Sequence, residues 1–195
     1  MYKEGHWGVS LLMYSPVVVL LMLIDPLINF STVILAVYGL GIVSFTASFP
    51  DVDMKLKNFT PIKHRGITHT VWFALFMGSV AAAVTYGLYY YFLMMGAEQI
   101  SLIPPPIVAV TFSFFMATYG TISHLMGDVI TPTGLRPFRP VKNTRYVKVL
   151  EFNGEKSKAA NEHWNTKFYI FGTIVCVLSF GTHPYIIEFL IVTIL

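Results

Sequence analysis

The sequence predicts an all-α fold, a polytopic bundle of four to five transmembrane helices with a small cytoplasmic segment between the fourth and fifth spans. Three observations carry this. Only 12% of the 195 residues are charged, against 55% hydrophobic and 15% aromatic. A soluble domain carries about 25% charged residues because its surface faces water, and half that density leaves too little polar surface to keep a chain dissolved. Apolar runs of about 20 residues, the length that crosses the hydrocarbon core as a helix, recur along the chain. Finally, all 13 Lys and Arg fall in segments that such crossings bring to one side. A single integral membrane domain, 1–195, accommodates all of this.

The first run spans about Trp7 to Ile24 and is closed by Asp25-Pro26, a carboxylate and a helix breaker. Glu4 spoils a basic leader and no small-x-small site precedes Asp25, so this run is expected to stay in the protein as an anchor. The second, about Phe30 to Phe49, ends at Pro50-Asp51. The third, Ile67 to Met95, is long enough to cross with tilt. Pro104-Pro105-Pro106 breaks the chain, and the fourth run, Ile107 to Ile130, stops at Thr131-Pro132-Thr133-Gly134. A fifth stretch, Phe168 to Leu195, is interrupted by Gly181-Thr182-His183-Pro184 and reads as a span plus a short interfacial tail or as one kinked span.

Short loops rich in Lys and Arg stay cytoplasmic. Lys3, then Lys55, Lys57, Lys63 and Arg65, then Arg136, Arg139, Lys142, Arg145, Lys148, Lys156, Lys158 and Lys167 share a side, and the loops around Asp25–Asn29 and Gly96–Pro106 contain no basic residue. The N-terminus is therefore expected in the cytoplasm of an inner (plasma) membrane protein, with 131–167 as a basic cytoplasmic segment. Within it, Arg145 to Phe152 alternates apolar and polar residues ahead of Asn153-Gly154, a hairpin signal, and Ser157 to Asn165 is expected to restart a helix. The net charge of +3 is too small to imply nucleic acid as a partner; the expected partners are membrane lipids. Cys176 stands alone in an apolar run, so it forms no intrachain disulfide and is read as packing.

Three clusters carry potential chemistry. Asp51-Val52-Asp53 follows the second span; in an extended segment its two carboxylates share a face. His64-Arg65-Gly66-Ile67-Thr68-His69 begins the third. Five residues apart on a straight helix, the two imidazoles would diverge by about 140°, so their convergence needs a turn at Gly66. His124 and Asp128 lie one helical turn apart on one face at the end of the fourth span, where a carboxylate in an apolar helix costs about 2.5–3.5 kcal/mol and is functional by default. His6 immediately precedes the first span. All seven, His6, Asp51, Asp53, His64, His69, His124 and Asp128, map to the side already assigned from Lys and Arg alone. Four imidazoles and three carboxylates suit a pair of divalent ions, zinc first and manganese or iron next, better than calcium. Glu162, with Asn161 and Asn165, could add an oxygen ligand, although a solvated helix face is the more usual explanation. His183 and Glu188 fall on the far side and are left out of the site.

His6, Pro50-Asp51-Val52-Asp53, His64-Arg65-Gly66-Ile67-Thr68-His69, and Ser123-His124-Leu125-Met126-Gly127-Asp128 followed by Thr131-Pro132-Thr133-Gly134 together resemble the YdjM-like membrane proteins, described as membrane-bound metal-dependent hydrolases. The resemblance covers about residues 1–140, and the joint occurrence of the motifs makes it specific. It implies a metal-dependent reaction and names no substrate. Combined with a site at headgroup depth, it leads to the expectation of a hydrolase acting on a phosphoester or phospholipid headgroup. Metal would activate water, Asp53 or Asp128 would take its proton, and Arg65 would balance charge on the phosphoryl oxygens. Two other readings stay open: a non-enzymatic protein with a structural or sensory metal site, and a metal or proton transporter, which would need ionisable residues along a path through the bilayer.

Overall fold

The computed structural model describes residues 3–25, 31–53, 66–95, 104–148, 151–152, 155–156, 162–184 and 187–188. Among the described residues five α-helices carry the fold: α1 Lys3–Ile24, α2 Thr32–Thr46, α3 Val71–Met94, α4 Pro106–Val129 and α5 Glu162–Phe180. The hairpin expected around Asn153-Gly154 has two short strands, Glu151–Phe152 and Glu155–Lys156, paired antiparallel.

Local chemistry explains where the helices begin and stop. Ser31 caps α2 by accepting a hydrogen bond from the Ile34 backbone N–H at 3.3 Å. Thr70 does the same for α3 through Phe73. Pro105 and Pro106 open α4, where the missing N–H groups are unpaired in any helix. Gly134, at φ 61°, turns the chain after α4 in a conformation other residues resist.

Among the described residues α1, α3 and α4 are long and apolar enough to cross a membrane. That is fewer than the four to five expected spans. α2 and α5 make the shortfall: the 15 residues of α2 reach roughly 22 Å at 1.5 Å per residue, against about 30 Å of hydrocarbon. Residues of the Phe30–Phe49 run are spent at both ends on the Ser31 cap and on turns at Ala47–Pro50 that fold the following carboxylates beneath the bundle. α5 starts in the polar Glu162-His163-Trp164-Asn165 and stops at Phe180, where Gly181 and Thr182 turn. A further helical hydrogen bond, Ile187 N–H to the His183 carbonyl at 3.1 Å, follows that turn.

Lipid tails are as apolar as leucine, so helices in a membrane associate through close packing and interhelical hydrogen bonds. Both are present. A Cβ on Gly8 would collide with the Phe168 backbone, and one on Gly172 would lie 3.0 Å from the Gly8 Cα, so α1 and α5 touch backbone to backbone. A Cβ on Gly120 would lie 2.7 Å from the Val43 carbonyl, seating α4 on α2. Tyr38, Thr85 and Ser113 close a hydroxyl triangle of 2.7, 2.8 and 2.9 Å across α2, α3 and α4. Tyr14, Val18, Met22, Leu35, Ala36, Val43, Met116 and Cys176 form the apolar core, placing the lone cysteine in packing as expected. α3 packs on α4 and exposes Leu75, Phe76, Val80, Val84 and Leu88, the surface a lipid-facing helix presents.

The contacts also fix direction. Gly8 and Phe168 meet near the starts of α1 and α5, and Asp25 and His183 meet 3.1 Å apart beyond their ends, so the two helices run parallel. Trp7 Nε1 donates to the Ser48 hydroxyl at 2.6 Å, and His124 lies 2.7 Å from the Ala47 carbonyl and 3.4 Å from His69, so the start of α1, the end of α2, the start of α3 and the end of α4 gather at one end of the bundle.

Candidate metal centre

Six of the seven residues predicted as ligands come together at that end. His6 projects from the second turn of α1, Asp51 and Asp53 from the turn after α2, His69 from a single 3-10 turn at Ile67–His69, and His124 and Asp128 from the last turns of α4. The turn beside Gly66 is where the sequence required one. His64 and Arg65 lie outside the described residues, as does Asn161.

His69 Nε2 and His124 Nε2 are 3.4 Å apart. Asp51 Oδ1 lies 3.6 Å from the first and 3.7 Å from the second. Asp128 Oδ2 lies 3.4 Å from His69 Nε2 and 3.8 Å from His124 Nε2. Two triangles thus share the edge between the imidazoles. Four ligands at about 2.0–2.1 Å around a tetrahedral ion sit about 3.3–3.4 Å from one another, so each triangle approximates one face of such a shell. His6 stacks on the His124 ring at 3.8 Å with 13° between planes, and its Nε2 reaches to 3.8 Å from Asp128 Oδ1. His6, His124 and Asp128 form one group able to hold a metal ion, and Asp51, His69 and His124 another.

Protons decide which way the ring nitrogens face. The Ala47 carbonyl can only accept, so the 2.7 Å contact to His124 Nδ1 is an N–H donation, and in the neutral ring Nε2 carries the lone pair. On His69, Nδ1 lies 3.0 Å from the Thr68 hydroxyl, which itself donates to Asp53 Oδ2 at 2.8 Å; that same carboxylate oxygen stands 3.4 Å from Nδ1. With acceptors holding both Nδ1 atoms, both Nε2 lone pairs point at each other and at carboxylate oxygens. Such an array of acceptors is repulsive until a cation sits among them. Asp53, expected as a ligand, belongs to neither group among the described residues and instead faces the far nitrogen of His69.

His69, His124, Asp53 and Asp128 are at most 1% exposed and His6 2%. Asp51 is the open side, with 22% of its side chain accessible. Burial acts to raise its carboxyl pKa, but the neighbouring His69 and His124 outweigh burial, holding it below the ordinary value and ionised at neutral pH.

Four contributors escaped the sequence reading. Thr68 was part of a quoted motif and its position beside His69 was the available signal. Ala47 contributes only a backbone oxygen and gave none. Ser10 and Ser123, bonded to each other at 2.5 Å, tie α1 to α4 next to His6 and His124. Asn165, once a possible addition, is buried in α5, while Asp25 and His183 pair at the opposite end of the bundle, away from the centre.

The model of the YdjM inner membrane protein family matches residues 6–192, past the limit near residue 140 to which the motifs alone extended, and takes in α5. No curated protein and no solved structure matches the chain. With three helices able to cross a membrane, a buried His/Asp cluster able to hold a metal ion, and a family match over nearly its full length, the chain belongs to the YdjM inner membrane protein family.

Proposed function

We propose that the protein is a metal-dependent hydrolase of the inner membrane, with its centre at the cytoplasmic face and a phosphoester, most naturally a phospholipid headgroup, as substrate. The observation carrying this reading is the shared edge of two lone-pair-bearing imidazole nitrogens at 3.4 Å, flanked by Asp51 and Asp128, with Asp51 opening to solvent. Two imidazoles with carboxylates suit zinc, and manganese or iron next. His124 Nε2 has one lone pair, so the two groups that share it complete one ion between them. The second ion of the expected pair would need donors from 54–65, where His64 lies.

When bound, the cation supplies Lewis acidity towards water and a phosphoryl oxygen. The protein's part is positioning. Ala47 and the Thr68–Asp53 pair fix the imidazoles in the tautomer that offers Nε2. Asp128, reaching His6 with one oxygen and His69 with the other, keeps an acceptor beside the reacting water and is assigned as the base. Asp53 orients His69, and Arg65 retains its assignment to phosphoryl charge. The one-sided distribution of Lys and Arg supports a cytoplasmic N-terminus. With α2 and α5 added to the three long helices, it also supports five crossings.

The test is purified protein, metal-loaded and chelator-treated, assayed against phospholipids and a generic phosphodiester. Chelator-sensitive release of product from at least one of them is expected. Metal-loaded protein inert towards all would remove the hydrolase reading. Near-complete burial of the other donors favours a second reading, a metal that staples α1, α2, α3 and α4 without turnover; a saturated shell with no water would select it.

A further inference from the structure

A second site stands on the same end of the bundle, in the loop after α4. Thr133, Gly134, Leu135, Arg136, Arg139 and Arg145 line a cavity of about 220 Å³ that opens to the surface, large enough to admit a phosphate group. The loop is built rather than loose. Leu135 and Tyr146 exchange backbone hydrogen bonds of 2.9 and 2.7 Å, and Arg145 holds the Thr133 carbonyl through Nε at 2.8 Å and through Nη2, which also donates to the Pro132 carbonyl at 3.4 Å, leaving Nη1 to face the cavity's ligand. The Arg136 and Arg139 side chains form no ion pair or hydrogen bond among the described residues. Between Thr131 and Lys148 the chain carries Arg136, Arg139, Lys142, Arg145 and Lys148 and no acidic residue.

Membrane orientation alone explains basic residues on a face. It does not explain three arginines converging on one cavity, where the planar fork of guanidinium matches phosphate oxygens in pairs. Phe138 and Val141, exposed at 40% and 79% on the same loop, add the apolar surface that meets acyl chains beside a headgroup. The loop is bonded at one end to Asp128, whose carbonyl accepts from Thr131 N–H and hydroxyl at 3.1 and 2.8 Å. Further along, the Pro137 carbonyl accepts from Val71, two residues past His69, at 2.9 Å. We propose that this cavity binds the phosphate of an anionic phospholipid headgroup. As a binding site it stands by itself; as the place where the substrate's phosphate is held it rests on the hydrolase reading.

The experiment uses the full chain in detergent, delipidated and stripped of metal with chelator, titrated with phosphatidylglycerol or phosphatidylcholine and read by native mass spectrometry. Preference for phosphatidylglycerol is expected. Arg136→Gln with Arg139→Gln should weaken it about tenfold or more, the loss of at least one charge-assisted hydrogen bond. Lys142→Gln with Lys148→Gln, an equal charge change outside the cavity, should leave it within about twofold, and Arg136→Lys with Arg139→Lys should restore only part of the loss. Unchanged thermal unfolding certifies that each variant is folded. Equal weakening by the two Gln pairs, or none by the arginine pair, overturns the site. Millimolar inorganic phosphate that displaces the lipid in wild type assigns the cavity to soluble phosphate and overturns its lipid assignment; failure to displace supports the lipid. Because metal and turnover are absent, retained binding in a protein without hydrolysis sinks only the hydrolase reading.

Discussion

Replacing Asp53 with asparagine keeps the side-chain shape and removes one charge that, in this account, touches no ion. Asp53 Oδ2 accepts from Thr68 at 2.8 Å and lies 3.4 Å from His69 Nδ1, so its charge acts on the cation through one imidazole. Loss of a carboxylate behind a ligating histidine lowers metal affinity about 10- to 100-fold, or about 1.4–2.8 kcal/mol. His69→Ala and His124→Ala, which remove donors, should cost more, and Asp51→Asn should lie between. The assay is zinc competition against a chromophoric chelator in detergent at pH 7. Asp53→Asn binding zinc as wild type does, within about twofold, would refute the orienting role; a loss as large as that of His69→Ala would make Asp53 a direct ligand.

Three further outcomes follow from the packing and the far end of the bundle. Gly8→Ala should destabilise by about 1–3 kcal/mol by forcing α1 from the Phe168 backbone, whereas Gly41→Ala, with open space around it, should be neutral or slightly stabilising; thermal unfolding in detergent distinguishes them. Tyr38→Phe removes one hydroxyl from a triangle whose other two members still bond, so the loss should be about 0.6 kcal/mol and no more than about 1.7, by the same assay. At Asp25 burial pushes the carboxyl pKa up, but hydrogen bonds from Thr32 and His183 outweigh it and leave the folded value below the ordinary 3.8. Its contribution to stability is therefore complete above that value and lost as pH falls through the lower folded one. The stability difference between wild type and Asp25→Asn should shrink as pH falls below the ordinary 3.8, and a constant difference would remove the linkage.

Much of this was legible in the sequence because membranes impose blunt constraints. The apolar runs, the prolines at Pro50 and Pro104–Pro106 and the Thr131–Gly134 stop mark helix limits that hold to within a few residues in α1, α3 and α4. α2 was read too long because hydropathy counts Phe49 and Ala47 as span, whereas the chain there turns to carry Asp51 under the bundle. The His and Asp positions were legible because ionisable residues beside apolar helices are costly, and the spacing of His124 and Asp128 places them on one face. What spacing could not show was depth within the cluster. Asp51 and Asp53 read as equals in Asp51-Val52-Asp53, and only the fold separates the one that flanks both Nε2 atoms from the one behind His69. The arginines of the loop after α4 read simply as orientation signals, because their convergence depends on the Leu135–Tyr146 pairing.

The central claim is that His69 and His124 offer their Nε2 atoms to one cation between Asp51 and Asp128. X-ray absorption at the zinc edge of the purified, zinc-loaded protein tests this most directly, with His69→Ala/His124→Ala as the companion sample. About one tightly held zinc is expected, with imidazole scattering from two histidines at about 2.0–2.1 Å and oxygen neighbours at about 2.0–2.2 Å, all lost in the double variant. Protein that retains no zinc at all, or a shell without histidine that survives in the double variant, would contradict it.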